Sequence, residues 1–142
     1  MSINGLITTK LKSIKTENGL VLHGIRSIDK HYDGFGEAYF SIIKGNAINA
    51  WKMHQKMVLN LLVPAGIVRF NFIDARKDSL TYMNRVEITV SQDNYRGITV
   101  PPNIIFGFRG LSTNDNIVTN IASMAHQDTE CLKIDFNEYE FI

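Results

Sequence analysis

Residues 44–76 read KGNAINAWKMHQKMVLNLLVPAGIVRFNFIDAR, and they are the part of the chain where we expect the protein's chemistry to lie. The segment is typical of three short strands, divided by Gln55-Lys56 and by the turn Pro64-Ala65-Gly66. In the first strand, alternation predicts one face that carries Ile48, Ala50, Lys52 and His54. A lysine and a histidine that share a face at the end of a strand indicate the polar floor of a barrel pocket.

The rest of the chain is also rich in strand signals. Asn18-Gly19 is a strong hairpin turn, and it predicts a hairpin over about 7–27 with strands near 7–14 and 20–25. Eight to ten short strands in all, separated by Gly, Asn, Asp and Pro, favour an all-β sandwich or barrel. A cupin-type double-stranded β-helix jelly roll fits the length well. We expect one domain over 1–142 that ends in a short polar tail at about 125–142.

An up-and-down barrel of the lipocalin type is the structural alternative. Proteins of that type are usually secreted and use their cysteines in pairs. This chain contains a single cysteine, Cys131, which excludes an internal disulfide and favours a reducing, cytoplasmic location. Since Cys131 lies in the polar tail without a strand or helix signal, it is not predicted to be a nucleophile.

Charge and hydropathy exclude several partners. The formal net charge of +1 gives no basic field for nucleic acid. The longest apolar run, 57–67, is interrupted by Asn60 and Gly66, so we expect no membrane span and no membrane partner. The first residues lack the charged and apolar regions of a signal peptide.

The strand pattern invites comparison with metal-binding cupins, which hold a metal through His-x-His, a Glu and a later His. Lys52-Met53-His54 stands at the first position of that pattern, Leu59 near the second and Phe106 at the last. Lysine, leucine and phenylalanine are not ligands for a divalent metal in this setting. The sequence therefore predicts no metal and no cofactor.

Several segments, in order over about 6–141, resemble the dTDP-4-dehydrorhamnose 3,5-epimerase family, the metal-free jelly-roll sugar-nucleotide epimerases. More closely, the chain looks like a short branch of that family found in polysaccharide-synthesis gene clusters. The segments are 19–26 (GLVLHGIR), 35–41 (FGEAYFS), 50–54 (AWKMH) with Asn60, 100–102 (VPP), 107–110 (GFRG), 120–122 (NIA) and 126–130 (HQDTE).

The resemblance implies a reaction on a nucleotide-linked 4-keto-6-deoxyhexose, in which a histidine removes a proton beside the ketone. His54 matches the family's base, and Lys52 replaces an arginine, which keeps the charge but loses the bidentate fork. Arg26 matches an arginine that contacts the substrate's phosphates. The family is also commonly dimeric, so we expect a homodimer in which Arg26 lies close to His54 of the same or the other subunit.

The chain departs from the family at two positions, since Thr119 replaces the acid tyrosine and Phe106 replaces a histidine. Tyr39, His126 or water could then donate the proton, and Asp128, Asp135 or Glu138 could pair with His54. These departures favour a single-position epimerase or a keto-isomerase over a double epimerase. The alternative is a homologue that binds a sugar nucleotide or another carbohydrate without catalysis. The remaining residues that we expect to line the substrate site are Glu37, Lys56, Asn60, Phe106, Thr119 and Asp128.

Overall fold

The computed structural model describes all 142 residues and contains twelve strands and one short 3-10 turn, but no α-helix. None of its elements is a helix that could cross a membrane. The strands are β1 (Ile7–Lys10), β2 (Ser13–Thr16), β3 (Gly19–Leu22), β4 (Glu37–Ile43), β5 (Ile48–His54), β6 (Leu59–Ala65), β7 (Ile67–Asp74), β8 (Arg85–Ser91), β9 (Arg96–Val100), β10 (Ile104–Gly110), β11 (Asn116–Ala122) and β12 (Cys131–Lys133), and the 3-10 turn is Phe136–Glu138.

Two antiparallel five-stranded sheets form the body of the protein. The first sheet has the order β1-β9-β6-β11-β4, and the second has the order β12-β5-β10-β7-β8. Consecutive strands alternate between the sheets over much of the chain, as in a jelly roll. The predicted all-β jelly roll is therefore confirmed.

The main core of 17 buried residues lies between the two sheets. The first sheet contributes aliphatic side chains, among them Leu59 and Leu61, which lie two residues apart in β6 and so share one face of the strand. The second sheet contributes four stacked or tilted phenylalanines, whose rings lie 5.7–6.1 Å apart: Phe70, Phe72, Phe106 and Phe108. These side chains define an inner face on each sheet.

The observed hairpin is shorter than the one that the sequence predicts. The segment that was expected as one strand over 7–14 breaks in two: β1 pairs with β9 in the first sheet, and only β2 pairs with β3. Asn18-Gly19 closes this smaller hairpin as expected. Two sheet partners compete for adjacent residues here, and local patterning cannot reveal such a change of partner.

The tail is more ordered than its polar composition predicts. Cys131 opens β12, which pairs with β5, so the prediction of a cysteine without a strand was wrong. The following residues cross the outer face of the second sheet, where the Trp51 indole donates to the carbonyl oxygens of Phe136 (3.3 Å) and Tyr139 (3.1 Å). Ile134, Tyr139 and Phe141 pack on the same tryptophan cluster.

The prediction that four residues of β5 share one face is correct only for Lys52 and His54, at the end of the strand. β5 carries one more residue than β10 between the pairs Asn49–Phe108 and Lys52–Phe106. Such a bulge moves the alternation by one residue. Ala50 therefore packs with the outer Trp51 cluster, whereas Lys52 and His54 face inward.

Candidate active site

The inner faces of the sheets turn polar near β4, β5 and β12. We call this region the inner site and define it by six side chains: Glu37, Tyr39, Lys52, His54, Asn120 and Cys131. β4 and β11 supply one wall, since Tyr39 pairs with Asn120 in the ladder. β5 and β12 supply the other wall, since His54 pairs with Cys131.

His54 is buried but unsatisfied. Only 6% of the residue is exposed, and its ring lies 6.3 Å from the ring of Phe106 in a stacked arrangement. Neither ring nitrogen has a hydrogen-bond partner, and the carbonyl oxygen of the Asn120 side chain is also buried without one. Buried polar atoms in folded proteins are nearly always paired, so unpaired atoms on the inner faces indicate a place for a ligand or for water.

Lys52 brings a cation to the aromatic floor. Its Nζ lies 5.3 Å from the centre of the Phe106 ring and 5.8 Å from that of Phe108, within the range of cation–π attraction. Burial lowers the pKa of Lys52 from its ordinary value. Phe106 therefore packs against His54 and Lys52 and makes no side-chain hydrogen bond.

The surroundings of His54 favour the neutral imidazole. Burial lowers its pKa, and the positive charge of Lys52 lowers it further, whereas the negative charges of Glu130 and Glu37 oppose the shift. Because the lowering effects prevail, His54 is a neutral base at pH 7.

Tyr39 provides a protonated phenol on the opposite wall. The amide of Asn120 donates to its Oη at 2.7 Å. Burial raises the pKa of Tyr39 to about 12. The phenol thus keeps its hydrogen at neutral pH, and Glu37, on the same face of β4, adds a negative charge nearby.

Two tail residues near His54, Glu130 and Cys131, were missed by the sequence analysis. Glu130 is 4% exposed, and its Oε1 accepts from the backbone N–H groups of Lys56 and Met57, both at 2.7 Å. Burial acts to raise the pKa of Glu130, but these hydrogen bonds prevail and lower it. Cys131 follows directly. The only available signal was the position of Glu130 at the end of the 126–130 segment, with Cys131 directly after it.

The carboxylates that were proposed to pair with His54 lie elsewhere. Asp135 is exposed and caps the 3-10 turn, accepting from Asn137 N at 2.8 Å, and Glu138 lies in that same turn. Both belong to the tail on the outer face of the second sheet, whereas His54 faces inward. His126 and Asp128 do form a pair, at 3.3 Å, but the Asp128 side chain is fully exposed. Among these tail carboxylates, only Glu130 is both buried and close enough for its negative charge to act on the pKa of His54.

Thr119 does not point into the inner site. Along β11, Val118, Asn120 and Ala122 are buried and face inward, so Thr119 lies on the outer face, opposite Phe40 in the ladder. The expected position of the acid tyrosine is thus on the wrong face of the strand. Asn120, one residue later, is the side chain that reaches Tyr39.

Arg26 and Asn60 lie on the far side of the first sheet. They line a separate cavity of about 380 Å³ between the outer face of that sheet and the loop after β3. The Nη2 of Arg26 pairs with Asp29 at 2.8 Å, and Asn60 accepts from Thr99 Oγ1 at 2.7 Å. Lys56 is exposed in the turn after β5. Within one chain these three residues do not join His54.

No group of three or more His, Cys, Asp or Glu side chains is arranged to hold a metal ion. The inner site instead combines a neutral imidazole, an ammonium, a protonated phenol and a thiol. Such groups can move protons to and from a bound molecule.

Comparisons with known proteins place this fold. No protein-family model matches the sequence, and no curated protein matches it. Among solved structures, a dTDP sugar isomerase from Desulfovibrio desulfuricans G20 shares 29% identity and a TM-score of 0.93, over 96% of this chain and 87% of the other.

Two further structures show the same fold at lower identity. The dTDP-4-dehydrorhamnose 3,5-epimerase from Sulfolobus tokodaii is 19% identical, with a TM-score of 0.85 over 97% of this chain and 81% of that one. The dTDP-6-deoxy-D-glucose-3,5-epimerase from Legionella pneumophila, solved with dTDP-4-keto-L-rhamnose, is 20% identical, with a TM-score of 0.84 over 96% and 76%. The chain therefore resembles the dTDP-4-dehydrorhamnose 3,5-epimerase family and a related sugar isomerase, as the order of its sequence motifs predicts.

Proposed function

We propose that this protein is a sugar-nucleotide epimerase or isomerase that acts on a nucleotide-linked 4-keto-6-deoxyhexose. The observation that carries the proposal is the buried, neutral and unpaired imidazole of His54 beside the ammonium of Lys52. A ketone acidifies the protons on its neighbouring carbons, and a neutral imidazole is a suitable base for removing one of them.

Lys52 and Tyr39 stabilise the charge that this step creates. When the proton leaves, negative charge develops on the ketone oxygen. The Lys52 ammonium and the Tyr39 hydroxyl, on opposite walls of the inner site, are the donors that would face that oxygen. Asn120 holds the Tyr39 oxygen from the other side, so that the phenol hydrogen remains free to donate.

The arrangement favours one enolisation over two. A double epimerase needs an acid that serves two ring carbons, and the expected position for that tyrosine, Thr119, lies on the outer face of β11. The inner site holds one imidazole, His54, with Tyr39 across from it. We therefore favour a single-position epimerase or a keto-isomerase.

The substrate class is supported by the solved relatives, which are named for dTDP-linked sugars. We propose a dTDP-linked keto sugar for this chain, made for surface polysaccharide such as O-antigen. The chemistry needs neither a metal nor a cofactor, because the ketone itself stabilises the carbanion.

Solvent exchange tests the proposal. The protein is incubated in heavy water with dTDP-4-keto-6-deoxyglucose, and the protons at C3 and C5 are followed by NMR. We expect deuterium to enter at one of the two carbons. Exchange at neither carbon, with this and with other nucleotide-linked keto sugars, would contradict a catalytic role. If dTDP-sugar still raised the thermal stability in that case, the protein would be a binding homologue.

A further inference from the structure

Cys131 stands opposite His54 on the inner face. In the β5–β12 ladder the two residues are direct partners, and Lys133 is likewise the partner of Lys52. Directly opposed residues in an antiparallel pair have Cβ atoms about 4.5–5.5 Å apart on the same face. The thiol is free, half-buried and the only one in the chain.

A second observation marks this spot as a place for a ligand. Only 6% of His54 is exposed, so the residue is more than nine-tenths buried. Its ring stacks over Phe106, and neither ring nitrogen has a hydrogen-bond partner. A negative charge on the Cys131 sulfur acts to raise the pKa of both Lys52 and Tyr39, so the three side chains lie close together. Cys131 is thus surrounded by the groups to which we assign the chemistry.

We propose that Cys131 is a catalytic proton donor that works on the same side of the sugar as His54. This inference rests on the proposed function and makes it more specific. A base and an acid on neighbouring strands of one sheet approach the sugar ring from one side. That geometry suits a shift of the ketone to the neighbouring carbon, whereas inversion of one carbon needs an acid on the opposite wall.

The proton transfers balance without any further reactant. His54 takes the proton from the hydroxyl-bearing carbon beside the ketone, and the electron pair of that bond forms an enediolate. The hydroxyl on the first carbon then passes its proton to the neighbouring oxyanion, which leaves the negative charge on the oxygen of the first carbon. As that oxygen becomes the new ketone, the former ketone carbon takes the proton of the Cys131 thiol. The proton on His54 then returns to the Cys131 thiolate, which restores both groups.

The test compares exchange with net conversion in the full chain. Wild-type protein, Cys131→Ala, Cys131→Ser and the exposed control Lys77→Ala are each incubated with dTDP-4-keto-6-deoxyglucose in heavy water. For Cys131→Ala we expect deuterium exchange beside the ketone to continue, while the ketone-shifted product forms about 100-fold or more slowly. Thermal unfolding of both cysteine variants at the wild-type temperature establishes that they are folded.

Chemical labelling gives an independent readout. Because the chain has one cysteine, iodoacetamide modifies a single site, and mass spectrometry measures its rate. We expect saturating substrate to slow the labelling several-fold and the alkylated protein to lose conversion.

The outcomes separate the two proposals. If wild-type protein shows no exchange at all, the proposed function fails. If it exchanges, the role of Cys131 is overturned by any of three results: conversion by Cys131→Ala at the wild-type rate, a product epimerised without a shifted ketone, or labelling that substrate does not slow.

Discussion

Asn120 donates a 2.7 Å hydrogen bond to the phenol oxygen of Tyr39 and so joins β11 to β4 inside the protein. The bond uses the phenol as an acceptor, which leaves its own hydrogen free to point at a bound molecule. Because burial raises the pKa of Tyr39 to about 12, that hydrogen stays in place throughout the neutral range. Tyr39 therefore gives the first wall of the inner site a fixed hydrogen-bond donor.

Replacement of Tyr39 by Phe removes this donor and leaves the ring. We expect the rate of exchange beside the ketone to fall about 10²-fold, since one preorganised donor to a developing oxyanion contributes on that order. Binding of dTDP should be unchanged. Phe40, which points outward, provides the control as Phe40→Tyr; equal exchange rates in Tyr39→Phe and in this control would contradict the role.

The pH dependence of exchange should report the charge of Lys52. A base acts when neutral, so exchange rises with pH through the pKa of His54, which lies below the ordinary value of about 6.5. In Lys52→Met the cation beside His54 is lost, so the pKa of His54 rises and the acid limb of the profile moves to higher pH. In the remote control Lys77→Met the limb should stay in place. An unmoved limb in Lys52→Met would show that the two groups do not interact.

Glu130→Gln should have two effects. The Glu130 carboxylate accepts hydrogen bonds from two backbone N–H groups, and glutamine replaces it with a neutral acceptor. We expect the free energy of unfolding to fall by about 1–3 kcal/mol. Since Glu130 acts to raise the pKa of His54, the acid limb should move to lower pH, opposite to Lys52→Met. Urea denaturation measures the first effect, with the exposed Glu138→Gln as control.

The same carboxylate makes stability depend on pH. The folded pKa of Glu130 is lowered, so its contribution is present above the unfolded value of about 4.3 and is lost as pH falls through the folded value. The stability difference between wild type and Glu130→Gln should therefore shrink in acid. A constant difference between pH 7 and pH 3 would contradict this account of Glu130.

The sequence predicted those parts of the site that depend on strand alternation and on motif order. Lys52 and His54 follow from both, whereas Tyr39 follows from the resemblance alone, and the structure brings the three side chains to one region. Thr119 lies on the outer face of β11 and Asn120 on the inner face, because neighbouring residues of a strand point to opposite faces. Glu130 and Cys131 were missed because β12 has only three residues and forms through its pairing with β5, a tertiary contact that leaves no local pattern.

The bulge in β5 was hidden for a related reason. An extra residue opposite Gly107 leaves no mark in a one-dimensional pattern, yet it moves Ala50 to the outer face. In the same way, the position of Arg26 depends on how the loop after β3 folds over the first sheet, which no motif encodes.

Assembly provides a prediction about Arg26. The hairpin exposes Ile14 (45%) and its ladder partner Val21 (48%), an apolar pair suited to a second chain. We expect a homodimer by light scattering at micromolar concentration, and monomers for the double variant Ile14→Lys/Val21→Lys. A monomeric wild-type protein would contradict this expectation.

If Arg26 completes the site of the partner, two inactive variants should rescue each other. Arg26→Met and His54→Gln, mixed and allowed to exchange subunits, would form dimers with one intact site, and part of the exchange activity should return. No recovery after confirmed subunit exchange would place the function of Arg26 elsewhere.

The most direct measurement of the central claim is the rate at which His54→Gln exchanges the proton beside the ketone of dTDP-4-keto-6-deoxyglucose at pH 7. Glutamine keeps a polar side chain of similar length but has no base of suitable pKa. We expect a rate about 10²–10⁴-fold below wild type, the range for loss of a general base, with unchanged dTDP binding and thermal stability. A His54→Gln protein that exchanged this proton at the wild-type rate would contradict the assignment of the inner site as the centre of catalysis.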